Sequence, residues 1–364
     1  MGDRHYRSLW ADQAPGAVHI IDQARLPHVF ETRSIASADA MAEAILAMRV
    51  RGAPLIGVAA AFGLALAVLR DPSDAAIERT VAMLRATRPT AVNLAWALGR
   101  MRERLAGLSP NERAQAAWIE AQAIADEDVA LNEAIGAHGV AILEREYQAK
   151  QRAVNILTHC NAGWIATVDW GTVTAPIFMA HDRGIPVHVW VDETRPRNQG
   201  LLTAWELASH GVPHTLIVDN AGGHLMQRGE VDLVMVGADR VTRRGDVCNK
   251  IGTYLKALAA RANGVPFYAA VPTPTIDWGI EDAMREIPIE ERAEDEVRIV
   301  RGLDPEGRFA EVTIAPSSTA VANPAFDVTP AELVTGLITE RGIVRASERE
   351  LAALRPRLRE ATLP

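Results

Sequence analysis

The chain opens on two short apolar runs, 18–21 and 28–30, that read as an extended start. From there to about residue 147 helical patterns dominate. Ala117, Ile124, Leu131 and Ile135 recur at intervals that stack them on one helix face. That helix begins at Ser109-Pro110-Asn111-Glu112, where serine caps, proline enters the first turn and glutamate reaches back. Near residue 150 the pattern changes. Apolar, β-rich runs at 154–157, 187–191, 215–218, 233–236, 267–271 and 312–314 alternate with helical stretches. Such runs, bounded by turn residues, read as strands buried on both faces. Their alternation with helices predicts a parallel, doubly wound sheet. Thr329-Pro330-Ala331-Glu332 marks a late helix by the same capping logic. The predicted fold is therefore α/β. A mainly helical domain with a short extended start covers 1–148, and a Rossmann-like domain covers 149–364.

One stretch imitates a membrane span. Residues 53–69 (APLIGVAAAFGLALAVL) carry no charge over 17 positions. A spanning helix needs about 20. Pro54 falls one residue into the run, where a helix tolerates it, and Gly57, Ala59, Ala60, Ala61 and Gly63 suit close helix packing. The run reads as a buried helix of a soluble core, with no membrane partner. Apolar residues make up 48% and charged ones 23%, the values of an ordinary globular chain. The net charge of −8 argues against a nucleic-acid surface but not against a phosphate ligand, which needs only a few local donors. Two cysteines, Cys160 and Cys248, and no leader pattern at the start fit a reducing, cytoplasmic setting without a disulfide framework.

Ligands of open parallel sheets bind beyond the carboxyl ends of the strands. Here four consecutive runs end in polar residues: Thr158-His159-Cys160-Asn161, Asp192 through Gly200, Asp219-Asn220, and Gly237-Ala238-Asp239-Arg240. No phosphate-binding GxxxxGK[ST] loop, dinucleotide GxGxxG, HExxH, CxxC or GxSxG is present. The usual cofactor-dependent chemistries are disfavoured, a metal is poorly supported, and an isomerase, a lyase or a binding protein remains.

Arg51-Gly52-Ala53-Pro54 precedes a helix whose N-terminus suits a phosphate, with Arg51 as a bidentate fork; the alternative is a surface arginine before an ordinary helix. Cys160 follows a buried strand directly, as a reactive thiol or as inert packing. His159, by strand alternation, points away from it. Asp239 ends an apolar run, where desolvation favours a protonated general acid; the alternatives are a helix cap or a pair with Arg240. Asn249-Lys250 opens a helix-like segment in which Lys250 binds phosphate or is merely solvated, and Cys248 beside it reads as structural. Trp164 suggests a dry pocket.

RGAP (51–54), THCNAG (158–163), ETRPRNQG (193–200), GADR (237–240), NKIGTY (249–254), IPIEER (287–292), NPAF (323–326) and ITERG (338–342) together resemble the methylthioribose-1-phosphate isomerases. The wider family includes isomerases of ribose 1,5-bisphosphate and deoxyribose 1-phosphate, and regulatory subunits of the exchange factor for translation initiation factor 2. The resemblance implies a homodimer that converts 5-methylthioribose 1-phosphate to 5-methylthioribulose 1-phosphate in methionine salvage without metal or cofactor. It implies Cys160 and Asp239 as catalytic residues. It places Arg51, Gly52, Ala53, Arg88, Gln199, Asn249 and Lys250 against the substrate. The segment 163–171 departs from the family pattern through Trp164 and Trp170. The rival readings are an isomerase of another pentose phosphate and a non-catalytic regulatory protein of the same fold.

Overall fold

A computed structural model describes residues 5–355. Strands β1 (Leu9–Ala11), β2 (Val18–Ile21) and β3 (Thr32–Ile35) form a small antiparallel sheet. The extended start thus holds at 18–21, but 28–30 is a turn and the next strand lies further on. Five helices follow: α1 (Ala38–Leu46), α2 (Ala53–Val68), α3 (Asp74–Thr87), α4 (Val92–Leu105) and α5 (Pro110–Lys150). The apolar run is α2, buried on all sides by the other helices rather than by lipid. Its small residues permit this, since a methyl group at Gly57 would lie 2.7 Å from the Asn93 carbonyl. No described helix is long and apolar enough to cross a membrane. The Ser109–Glu112 capping box opens α5, which at ~1.5 Å per residue runs about 60 Å. Its first half packs on α2 and α4. Ala117, Ile124 and Ile135 are buried as their spacing predicts.

The second part alternates β4 (Val154–Thr158), α6 (Thr174–Asp182), β5 (Val187–Asp192), α7 (Gly200–His210), β6 (His214–Ile217), α8 (Ala221–Gln227) and β7 (Leu233–Val236). Next come β8 (Arg240–Thr242), β9 (Val247–Lys250), α9 (Thr253–Ala262), β10 (Phe267–Ala270), β11 (Ile276–Asp277), α10 (Ala283–Glu286) and α11 (Asp295–Arg298). The chain closes with β12 (Ile299–Leu303), β13 (Phe309–Thr313), β14 (Phe326–Thr329), β15 (Gly336–Thr339), β16 (Gly342–Val344) and α12 (Glu348–Ala352). The main sheet has the order β16-β15-β10-β7-β4-β5-β6, parallel throughout except for β16. It is doubly wound.

Three expectations change. The run at 312–314 is not a sheet strand, because its residues pair antiparallel with β12 in an isolated hairpin; β15 takes the place beside β10. The run at 215–218 is not buried on both faces, since β6 is the sheet edge and leaves Leu216 and Val218 exposed. Thr329-Pro330 opens only a short 3-10 turn, because the chain must re-enter the sheet at Gly336.

Candidate active site

The strand order fixes where a ligand fits. From β4 the chain winds outward through β5 and β6, then returns to the other flank of β4 for β7, β10 and β15. The order therefore reverses between β4 and β7, and a crevice opens beyond their carboxyl ends. Cys160 follows β4 and Asp239 follows β7, one on each lip. All nine residues singled out above line this one pocket: Arg51, Gly52, Ala53, Arg88, Cys160, Gln199, Asp239, Asn249 and Lys250.

Arg51 is buried, not a surface residue, and its guanidinium grips the turn after β4. Nη1 donates to Asn161 Oδ1 and Nη2 to the Asn161 carbonyl, each at 2.8 Å. Burial lowers its pKa, while Cys160, Glu206 and Asp239 pull the other way. Gly52 caps α2 at φ +105°, and a methyl group there would lie 2.2 Å from the Ala166 carbonyl oxygen. Only glycine brings this helix N-terminus so close to the turn, and Gly52, Ala53 and Pro54 line the pocket there.

Cys160 occupies the left-handed region at φ +67°, a conformation non-glycine residues hold only when their surroundings impose it. The backbone is clamped on both sides: its N–H donates to Thr194 Oγ1 and its carbonyl accepts from Thr203 Oγ1, both at 2.8 Å. Burial raises the thiol's pKa, against the charges of Arg51 and Lys250. The group is a thiol near neutral pH. Asp239 is raised by burial too, opposed by Lys250, Arg88 and Arg51. It neither caps a helix nor pairs with Arg240. Its N–H donates to the Cys248 carbonyl, and Arg240 turns to Asp277 and the Thr90 carbonyl.

Asn249 and Lys250 end a strand rather than open a helix, because β9 pairs antiparallel with β14 and Gly252 breaks the chain before α9. The Lys250 ammonium is buried and lowered in pKa by that burial; it donates to the Ala325 carbonyl at 2.8 Å and sits 4.8 Å from the Phe326 ring centre. Two buried polar atoms of the lining, Arg88 Nε and Gln199 Oε1, have no protein partner. Both atoms are therefore free to meet a ligand. Cys248 is buried against Ala283 and Ile287, and burial pushes it to about 12.

His159 borders the pocket, but both ring nitrogens are engaged elsewhere: Nε2 donates to the Ile251 carbonyl at 2.8 Å and Nδ1 faces Asp192 Oδ2 at 3.2 Å. With Asp219 these two form the one group, among the described residues, of metal-ligand types within 4.8 Å. It suits a cation poorly, since Lys256 Nζ already sits 3.0 Å from Asp192 and Asp219 accepts the N–H groups of Thr194 and Arg195. Trp164 does not wall the pocket. It packs on Trp205 beside a separate cavity that also involves Tyr6, Trp170 and Phe178. The apolar wall comes instead from Ala162, Ala166, Pro272 and Phe326. Sequence reasoning missed Arg292 and Met48, which also line the pocket. Arg292 lies within IPIEER, a motif whose run of charges was the available signal; nothing in the pattern marked Met48.

Residues 49–346 match the model of the initiation factor 2 subunit family. A methylthioribose-1-phosphate isomerase of Acidiphilium cryptum is 64% identical over 353 residues, 96% of each chain. The crystal structure of 5-methylthioribose 1-phosphate isomerase from Pyrococcus horikoshii superposes with a TM-score of 0.82 at 41% identity, covering 96% of both chains. A translation initiation factor eIF-2B delta subunit from A. fulgidus superposes with a TM-score of 0.75 at 38% identity, covering 94% of this chain and 96% of that one. The chain belongs to the initiation factor 2 subunit family and, within it, to the methylthioribose-1-phosphate isomerases.

Proposed function

We propose that the protein isomerises 5-methylthioribose 1-phosphate to 5-methylthioribulose 1-phosphate at the β4/β7 crevice. The observation that carries this reading is that Asp239 and Cys160, both raised in pKa by burial, line one pocket whose other charged members are cationic. Arg51, Arg88 and Lys250, with the N-terminus of α2, hold the phosphate, and that binding energy orients the reacting carbons. The phosphate on C1 locks the sugar ring, so opening starts with a proton. Asp239 gives its proton to the ring oxygen as the C1–O bond breaks, leaving an electron-poor C1 and an Asp239 carboxylate. Hydrogen then passes from C2 to C1 with its electron pair, and the C2 hydroxyl yields its proton to the Asp239 carboxylate as the ketone forms, which restores the acid. A buried thiol is a weak base, which favours this transfer over abstraction of the C2 proton. Cys160 supports the face across which the hydrogen moves. No step calls for a metal or a cofactor.

A specific feature favours an uncharged group at C5 over a second phosphate. A second cavity shares Met48, Arg51 and Gln199 with the pocket and is lined by Leu26, Pro27 and Leu202 together with the charged residues Arg197, Glu296, Arg301 and Glu311. The two arginines it does not share with the pocket are already paired, Arg197 with Glu296 at 2.9 Å and Arg301 with Glu311 at 2.7 Å. The same reading includes a cytoplasmic homodimer, supported by the family and by two free cysteines, and a domain division at 148/149, supported by the end of α5 at Lys150. The test is a panel of pentose 1-phosphates assayed by ketose formation after exhaustive chelation. Turnover of the methylthio sugar is expected. Loss of activity restored by a divalent ion, or preference for ribose 1,5-bisphosphate, refutes the assignment.

A further inference from the structure

The segment containing IPIEER is bolted down on both sides of its acidic residues. Ile287 packs with Cys248 and Ala283, the Glu290 carbonyl accepts from Ala325 N–H at 2.8 Å, and Arg292 N–H donates to the Asn323 carbonyl at 3.0 Å. The backbone here is held from both sides, whereas the Glu290 side chain is held through its carboxylate. Its carboxylate lies between two arginines of the pocket wall, with Oε1 2.7 Å from Arg292 Nη1 and Oε2 3.6 Å from Arg88 Nη2. The second distance is too long for a hydrogen bond, so Arg88 is neutralised by charge alone. Its Nε is buried and lacks a partner.

Arg292 does not need Glu290 to hold its place. Glu296 receives its Nη2 at 2.7 Å and its Nε at 3.0 Å, and also binds Arg197. Burial pushes Glu296 up, but the two arginines outweigh it and bring the carboxyl down to about 2. Glu296 is thus the fixed structural anion of the segment. Glu290, about a quarter exposed and making one good contact, is a loosely held one.

We propose that Glu290 is a built-in counter-anion of the phosphate pocket, seated on Arg88 and Arg292 until the substrate's phosphate displaces it. The proposal rests on the phosphate reading given above. A phosphate offers three acceptor oxygens and can meet each guanidinium through paired N–H groups, which the single carboxylate does not do for Arg88. The exchange therefore favours a well-placed dianion. Small monoanions must compete with Glu290 for the same donors and gain less, so the side chain also acts as a filter. Arg292 becomes a further phosphate contact, held ready by Glu296.

The test measures inhibition by inorganic phosphate at constant ionic strength. Glu290→Gln keeps shape and removes the charge. Its Ki for phosphate should fall about 5-fold, the scale of one partly exposed ion pair, and KM should fall with it. Glu290→Ala should move both constants the same way. Glu296→Gln removes the same charge from the same segment but loosens Arg292, so its Ki should rise. An unchanged or raised Ki in both Glu290 variants overturns the counter-anion. An equal fall in Glu296→Gln also overturns it, by showing a general field effect. If inorganic phosphate does not compete in the parent enzyme, the phosphate reading itself falls, and this proposal with it.

Discussion

Gly52→Ala tests the architecture of the site without touching any group that carries charge. The added methyl group would lie 2.2 Å from the Ala166 carbonyl oxygen, 2.5 Å from its Cα and 2.6 Å from its Cβ. The opposing atoms belong mainly to backbone, so no side chain can rotate aside. Reaching ordinary contact requires the start of α2 to retreat by about 1 Å, and the φ of +105° adds strain of about 1–3 kcal/mol for a residue with a Cβ. The strain acts on stability; the retreat acts on function. A displacement of about 1 Å between a cradle and the reacting carbons costs roughly 10²-fold in rate. The expected result is a folded but less stable protein whose kcat/KM falls about 10²-fold, measured by ketose formation beside a thermal melt. Gly99→Ala in α4 is the control, because nothing lies within 4 Å of its would-be methyl group; it should be neutral or slightly stabilising. A Gly52→Ala enzyme within threefold of the parent would show that the helix end does not hold the phosphate.

Asp239→Asn and Cys160→Ser should each lower kcat at least about 10²-fold with folding retained, and near-normal turnover in either would remove that residue from the chemistry. Lys250→Met should mainly raise KM and weaken competition by sulfate; unchanged kinetic constants would place the ammonium outside the site. Substrate deuterated at C2 should give ketose with deuterium kept at C1, read by NMR, whereas extensive washout into ordinary water rules out hydride transfer as the main path. Glu206, lying under the Cys160 turn, is pushed by burial from 4.5 to about 8, against hydrogen bonds from Ile165 N–H and the Asn161 amide. The folded chain keeps this proton up to about pH 8 while the unfolded chain releases it near 4.5, so the group's contribution is lost as pH rises through that window. Urea midpoints of the parent should therefore fall between pH 5 and 8 relative to those of Glu206→Gln, and parallel curves would contradict the assignment.

What the sequence disclosed and what it hid divide along a physical line. β4, β5, β7 and β10 announced themselves because central parallel strands are apolar on both faces, and their ends then pointed to Cys160 and Asp239. β6 carries a similar run but lies at an edge, which periodicity cannot distinguish. The run at 312–314 has strand-like residues and does form a strand, yet its partner, β12, is chosen by a tight turn and not by the sheet. Lys250 was placed on a helix because Ile251 to Lys256 has helical spacing; the glycine at 252, with φ +103°, sets the true boundary. Trp164 lies close to Cys160 in the chain, but the turn clamped by Thr194 and Thr203 leads the indole to Trp205 and a separate cavity. Arg292 carried only the weak signal of the IPIEER charges: Glu290 and Glu296 beside it hold the side chain, but the pairing of its segment with residues 323–325, which brings it to the pocket, leaves no mark in the local pattern.

Two neighbouring cavities flank Arg51 and Gln199. They share Met48, Arg51 and Gln199, while the far chamber draws its other walls from the segments around Leu26, Leu202 and Ile299, none of which belongs to β4 or β7. On the proposed reading, residues that would meet the tail of the sugar are thus carried by different pieces of chain from those that would open its ring. Mutation can reshape one without retuning the other. A library confined to Leu26, His28, Leu201, Leu202 and Ile299 therefore offers a route to new tail preferences with the ring-opening machinery inherited intact, the kind of separable variation from which a family of sugar-phosphate isomerases diversifies.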